Sequence, residues 1–245
     1  MSFYISGRTP ALKHAAQILR TAGIVTTESP QWSNRHLLLD VPSFRPGSSL
    51  CLDTLLNALP RDITIWGGNL QHPALEEYRC VDLLKEEAYL LENASITADC
   101  AIALIDPILN KSWQDVNVLI IGWGRIGKFL AKQLKSMTNH LTIAARKEQD
   151  CQSLHLMGYQ PVRLTELKEI LPDCDLIINT VPAEVLTEED LSSCRNCLKI
   201  DLASKKGIAG EDVIWARGLP GIHAPDRSGR LIAQTILRIL KEAEK

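Results

Sequence analysis

Val118-Leu119-Ile120-Ile121-Gly122-Trp123-Gly124-Arg125-Ile126-Gly127 decides the fold: an apolar run of strand length stops at three glycines spaced G-x-G-x-x-G, and an amphipathic helical pattern follows, Ile126 to Met137. A bare glycine pattern is weak evidence, but a strand before it and a helix after it mark a dinucleotide-binding turn. Gly122 then allows the tight turn, Gly124 lets the backbone approach a pyrophosphate, and Gly127 lets helix and strand pack closely. The phosphates would meet the unpaired N–H groups at the helix N-terminus. Trp123, Arg125 and Ile126 complete the candidate cofactor loop. Arg125 reads either as a phosphate contact or as a solvated surface charge.

Working outward, the next strand pattern, Leu141 to Ala145, ends in Arg146-Lys147. About 20 residues beyond the glycines an Asp or Glu normally receives the ribose hydroxyls of NAD. Two cations stand there instead, and guanidinium matches phosphate geometry, so Ala145, Arg146 and Lys147 predict NADP(H) over NAD(H). The alternative is that Arg146 only stacks on adenine and NAD binds as well. A further strand, Leu176 to Asn179, runs into Asn179-Thr180-Val181-Pro182, and another, Leu198 to Asp201, into Asp201-Leu202-Ala203-Ser204. Polar residues at carboxyl strand ends border the ligand crevice of a parallel sheet. Loop capping by the same short side chains is the alternative.

Strand patterns at 161–162 and 213–215 and a helix at 151–157 complete an alternating series, which specifies a doubly wound parallel α/β sheet of Rossmann type. Before it, Phe3–Ser6, Ala11–Ala22, His36–Val41, Leu50–Ala58 and Ile63–Trp66 read as a second, smaller α/β lobe. Turn residues separate these runs at 6–10, 42–47 and 67–69. A long helical stretch from Asp82 to Ile108 connects the two, and an apolar final helix, Gly229 to Ala243, must pack on something. The expected division is 1–95 with 229–245 as the substrate lobe and 96–228 as the nucleotide domain. The final helix is a candidate lobe or subunit interface, the latter giving a homodimer.

The 245 residues carry a formal net charge of -2, with no basic field to attract nucleic acid. Expected ligands are small. No stretch approaches the ~20 uninterrupted apolar residues of a membrane span, and the start lacks a charged head before an apolar core, so a cytoplasmic location is expected. Seven scattered cysteines read as reduced thiols. The Cys194-x-x-Cys197 pair has no second pair beside it; two small buried hydrophobes is the plainer reading than a redox or zinc site, and no metal is expected.

Several segments together resemble the family of the dipicolinate synthase A subunit. They are Asn93-Ala94-Ser95-Ile96-Thr97-Ala98-Asp99, the glycine loop from Ile121, Ala145-Arg146-Lys147, Ile178-Asn179-Thr180-Val181-Pro182-Ala183, Ile200-Asp201-Leu202-Ala203-Ser204 and Gly218-Leu219-Pro220-Gly221-Ile222-His223-Ala224-Pro225. The similarity is strong from about residue 90 to 230 and weak before. It implies NADP-linked oxidation of dihydrodipicolinate to dipicolinate, the calcium-binding acid of sporulation, in concert with a second, flavoprotein-like subunit. A cyclic dicarboxylate needs cations, for which Arg8 is the first candidate and Lys205 and Arg227 weaker ones, with Thr97 and Ser204 as polar substrate contacts. Asp99, Asp201 and His223 are the candidate acid–base residues.

Departures gather on the substrate side. Thr97-Ala98-Asp99-Cys100 replaces the family's Thr-Ala-Glu-Gly, Lys206-Gly207-Ile208 its Pro-Gly-Gly, and Ala224-Pro225-Asp226-Arg227-Ser228-Gly229 its Ala-Pro-Lys-Thr-Ala-Gly. The N-terminal lobe is also shorter than the family's. Two other readings therefore stand beside the first: a related dehydrogenase or reductase of another small carboxylate, and a non-catalytic nucleotide-binding subunit of a partner enzyme.

Overall fold

Apolar runs such as Leu37–Leu39 and Val118–Ile121 are buried along their whole length, as strands of parallel sheets covered on both faces must be. In the computed structural model, which describes residues 1–44, 52–194 and 196–243, the chain forms β1 (Ser2–Ser6), α1 (Pro10–Thr21), β2 (Val25–Thr27), β3 (His36–Leu39), α2 (Leu52–Asn57), β4 (Thr64–Gly67), β5 (Arg79–Asp82) and α3 (Glu87–Ile105). There follow β6 (Asn117–Ile121), α4 (Arg125–Leu134), β7 (His140–Ala145), α5 (Glu148–Leu156), β8 (Gln160–Arg163), α6 (Leu167–Ile170), β9 (Leu176–Asn179), α7 (Glu188–Leu191), β10 (Leu198–Asp201) and β11 (Val213–Trp215). The last helices are α8 (Leu219–His223) and α9 (Pro225–Ala243). Arg45, Pro46 and Gly47 of one expected turn, Leu50 and Cys51 at one expected helix start, and Arg195 lie outside the described residues.

Residues Met1–Asn93 and Pro220–Lys245 make one unit, Ala94–Leu219 the other. The first holds a five-stranded parallel sheet in the order β2-β1-β3-β4-β5, whose direction of winding reverses between β1 and β3. Thr9 caps α1 by accepting the Leu12 N–H at 3.2 Å, with Pro10 opening the helix; this is the usual way of satisfying a first-turn donor. The buried face Ala11, Leu12, Ala15, Ala16 and Leu19 follows helical spacing. Helix α9 packs along α1 so closely that a Cβ on Gly229 would lie 2.4 Å from the Ala11 carbonyl oxygen. The helix starts at Pro225 rather than Gly229, because proline suits a first helical position.

The sequence pattern predicts three strands in this unit, and the other two are its edges. β2 and β5 are short, have no fully buried residue and carry Thr, Arg and Asp, so neither shows an apolar run. The connector helix correspondingly begins at Glu87 rather than Asp82. The Asp82 carboxylate instead ends β5 by accepting the N–H groups of Asn69, Leu70 and Leu84 at 3.0–3.1 Å.

One part-buried polar contact gives this unit a pH dependence. His36 stacks on Phe3 with ring centroids 4.5 Å apart, and its Nδ1 accepts the Trp66 indole N–H at 3.1 Å. Burial, the chain's amino terminus and Arg79 hold its pKa down to about 4. An unfolded chain therefore binds this proton near 6.5 while the folded one does not, so stability is full above pH 6.5 and falls as pH drops toward 4. Denaturant midpoints measured across that range should decline for the native chain and flatten for His36→Gln; parallel curves would sink the assignment.

The second unit holds a six-stranded parallel sheet in the order β11-β10-β9-β6-β7-β8, the doubly wound arrangement, with its reversal between β6 and β9. Leu119, Ile121, Ala144, Leu167, Leu171, Ile177, Leu186 and Ile208 build one of its core faces. The span Glu87–Ile108 is long and apolar enough by composition to cross a bilayer, against the expectation drawn from the sequence. Its apolar residues Ala94, Ile96, Ala98, Ala101 and Ile105 are buried within the protein. Six cysteines of the described residues are free thiols. Burial pushes Cys174 and Cys197 up to about 12 and raises Cys194, which suits inert core residues rather than reactive thiolates.

Candidate functional site

The glycine loop is set by the strand it leaves. Strand β6 is buried from Val118 to Ile121, and the Gly122 N–H continues the ladder by donating to the Ala144 carbonyl at 2.9 Å. At that residue the backbone enters the left-handed region, φ +109, which only glycine adopts freely. Gly127 sits directly over it: a Cβ there would stand 2.1 Å from the Gly122 carbonyl oxygen. Gly124 is different. A Cβ there would meet no atom within 4 Å, so the loop presents an open backbone face at that residue.

Helix α4 begins at this open face with Gly124 as its N-cap. No side chain caps it and no acid lies in its first turn. The first N–H groups of a helix find no partner within the helix, and their positive dipole end favours an anion. By contrast, α1 and α7 are capped by the hydroxyls of Thr9 and Thr187. An open cradle before an uncapped ten-residue helix fits the pyrophosphate of a dinucleotide.

The rim beside the loop comes from β9 and β10. Thr180 donates twice to the Ile121 carbonyl, from its N–H at 2.9 Å and its Oγ1–H at 3.0 Å, fixing the strand end beneath Gly122. Asn179 is fully buried, and its side-chain amide donates to the Val181 carbonyl at 3.0 Å while its Oδ1 accepts the Val181 N–H at 2.9 Å. The loop after β10 packs against this turn, with the Val185 N–H donating to Gly207 O at 2.8 Å. Thr180 and Val181 are thus brought beside Gly122, and Asn179 beside Gly207, where Asn179 and Thr180 shape the crevice through backbone bonds.

Arg146 and Lys147 are exposed immediately after the buried Ala145 of β7. The one acid beside them, Glu148, is drawn into an ion pair with Arg163 at 2.6 Å. Arg146 and Lys147 at the carboxyl end of β7 are therefore not neutralised by the acid next to them in the chain. The sequence pattern gives no sign of this pairing, because Arg163 lies on the neighbouring strand.

The two acidic candidates in this unit are both committed to structural bonds. Asp99 on α3 accepts the Gln133 side-chain amide at 2.6 Å. Gln133 lies in the last turn of α4, about 12 Å along the helix from its start at 1.5 Å per residue, and hence toward the amino-terminal edge of the sheet. That position does not suit a proton acceptor at the nicotinamide. Thr97, two residues earlier on α3, is buried. Asp201 does stand at the carboxyl edge, but it is fully buried and its oxygens accept three backbone N–H groups, from Ala203 at 2.9 Å, Gly207 at 2.6 Å and Ile208 at 3.0 Å. It pins the loop that carries the exposed Ser204 and Lys205. A general base must instead reach the proton it takes.

In the other unit Arg8 is exposed at the carboxyl end of β1, at the reversal between β1 and β3. Asp40, which no motif marks, holds its backbone: the carboxylate accepts the N–H of Arg8 at 3.2 Å and of Thr9 at 3.3 Å, and the Thr9 hydroxyl. An acid one residue past a strand end is the signal that could have found it. His223 ends α8 and Arg227 lies in the first turn of α9, both exposed.

Residues 104–211 match the shikimate / quinate 5-dehydrogenase family model. Over 175 residues the chain is 29% identical to the A subunit of dipicolinate synthase from Bacillus subtilis (strain 168), covering 68% of this chain and 59% of that protein. The match thus spans less than two thirds of the relative's length. The crystal structure of the dipicolinate synthase A subunit from Bacillus halodurans has TM-score 0.84 and 21% identity over 98% of this chain and 97% of that one. The crystal structure of its counterpart from Bacillus subtilis has TM-score 0.81 and 23% identity over 100% and 97%.

Proposed function

The chain being homologous to the dipicolinate synthase A subunit, we propose that it is an NADP-dependent oxidoreductase of a small cyclic carboxylate, with dihydrodipicolinate as first substrate and dipicolinate as product. The observation that carries the cofactor half is the open, uncapped start of α4 at Gly124, with Arg146 and Lys147 at the adjacent strand end. When bound, the nicotinamide supplies the hydride acceptor. The protein's own residues do the rest. The first turn of α4 holds the pyrophosphate. Arg146 and Lys147 hold the 2′-phosphate, while the Arg163 ion pair keeps Glu148 from repelling it. Arg8 anchors a substrate carboxylate on a backbone steadied by Asp40. Ser204 and Lys205, on the loop pinned by Asp201, are the further contacts on the nucleotide side. With Asp99 and Asp201 tied down, the exposed imidazole of His223 is the remaining candidate to take the proton. Free thiols suit a cytoplasmic setting, and the subunit designation of the relatives favours a partner chain.

Calorimetric titration should give a lower Kd for NADP⁺ than for NAD⁺. The double replacement Arg146→Ala, Lys147→Ala should weaken NADP⁺ about 30-fold, equivalent to about 2 kcal/mol, and leave NAD⁺ within about threefold. Equal affinities in the native chain would overturn the preference. Turnover is read as reduced nucleotide formed from dihydrodipicolinate, with and without the partner subunit. Tight binding with no turnover would favour a nucleotide-binding role in a partner enzyme, and the committed hydrogen bonds of Asp99 and Asp201 support that second reading.

A further inference from the structure

The side chain between the first two glycines of the loop has no part in the reading above. Trp123 is half-buried, and its indole meets the Tyr159 ring at a centroid distance of 5.9 Å and an interplanar angle of 61°. The Lys128 ammonium stands 5.7 Å from the indole centroid. Tyr159 in turn lies 4.4 Å from the Lys135 ammonium, which also donates to the Met157 carbonyl at 2.7 Å. A continuous row of rings and cations therefore runs from the loop along α4 to the turn before β8. Such edge-to-face and cation–ring contacts are attractive in their own right.

The position of this row gives it a function. Gly122 and Gly124 flank Trp123, and glycine has more backbone freedom to lose than any other residue. A pyrophosphate needs one conformation of this loop, and freedom removed before the ligand arrives is not lost on binding. We infer that Trp123 is a positioning residue which, braced by Tyr159 and Lys128, preorganises the glycine loop for the pyrophosphate of a dinucleotide. The inference rests on the proposed nucleotide reading of the loop. It separates two parts of the ligand: the pyrophosphate depends on Trp123, while the 2′-phosphate depends on Arg146 and Lys147.

The test measures Kd for NADP⁺, NAD⁺ and 2′-AMP, the last having the 2′-phosphate but no pyrophosphate. Trp123→Ala and Tyr159→Ala should each raise Kd for both dinucleotides about tenfold, equivalent to about 1.4 kcal/mol, by the same factor, and leave 2′-AMP unchanged. Trp123→Phe and Tyr159→Phe, which keep a ring, should restore most of the affinity. Should Trp123→Ala not fold, Tyr159→Ala, outside the loop, carries the same comparison. Native dinucleotide affinity in the alanine variants overturns the inference alone, as does equal weakening of 2′-AMP, the mark of general damage. A native chain that binds neither dinucleotide overturns the nucleotide reading and this inference together.

Discussion

Replacing Gly127 by alanine is expected to cost more than 100-fold in dinucleotide affinity and to lower Tm by roughly 5–10 °C. The new methyl would stand 2.1 Å from the Gly122 carbonyl oxygen, well inside any tolerated carbon–oxygen contact. That oxygen belongs to a residue held by the Ala144 carbonyl on its N–H side, so the helix must move instead. Overpacking of this kind costs about 1–3 kcal/mol and occasionally more, and each kcal/mol shifts Tm by about 2–4 °C in a chain of this size. Moving α4 also displaces the N–H groups that would meet the pyrophosphate, so binding suffers beyond the loss of stability.

Gly124→Ala makes the necessary contrast. Its methyl meets no protein atom within 4 Å, and φ −82 suits alanine. Tm should stay within about 2 °C of the native value while affinity falls, if the pyrophosphate approaches this face as it does in such loops. An alanine at 124 that leaves affinity intact would remove the cradle from the proposal, and a Gly127→Ala chain of native Tm and affinity would refute the packing argument.

The second large effect is expected at Asp201. Removing its carboxylate in Asp201→Ala leaves the buried N–H groups of Ala203, Gly207 and Ile208 without their acceptor. Each unsatisfied buried donor costs about 1–3 kcal/mol. The sum over the three donors, roughly 3–9 kcal/mol, is comparable to the whole stability of many domains, about 5–15 kcal/mol. Thermal unfolding should fall by more than about 10 °C. Asp201→Asn should fall less, since one oxygen keeps its bonds and only the amide faces a donor. The pinned loop carries Ser204 and Lys205, so substrate affinity should weaken alongside. If Asp201→Asn instead abolished turnover at native Tm, the carboxylate would be a catalytic residue after all.

The contrast between Asp201 and the glycine loop shows how far a sequence carries. At 118–127 the strand, the turn and the helix are neighbours in the chain, so the pattern of apolar residues and glycines specifies their arrangement directly, down to the positive φ of Gly122. The alternation of strands and helices likewise determined a doubly wound parallel α/β architecture, because right-handed crossovers leave few other ways to bury such strands. Edge strands β2 and β5 escaped this logic, since a strand paired on one side needs no apolar run.

Side-chain commitments were decided only in three dimensions. Asp99 and Asp201 both read as candidate acid–base residues, yet one is bound to Gln133 at the far end of α4 and the other to the backbone of its own loop. Glu148 is paired by an arginine on the neighbouring strand, and Asp40 holds the turn of Arg8 from the end of β3. A carboxylate's role depends on which donors reach it, and those donors come from segments the chain brings together only by folding. The sequence by itself determined the glycine turn, the fold class and the cations after β7; the tertiary structure alone decided which acids are spent holding loops, because hydrogen-bond partners are set by distance in space and not by spacing along the chain.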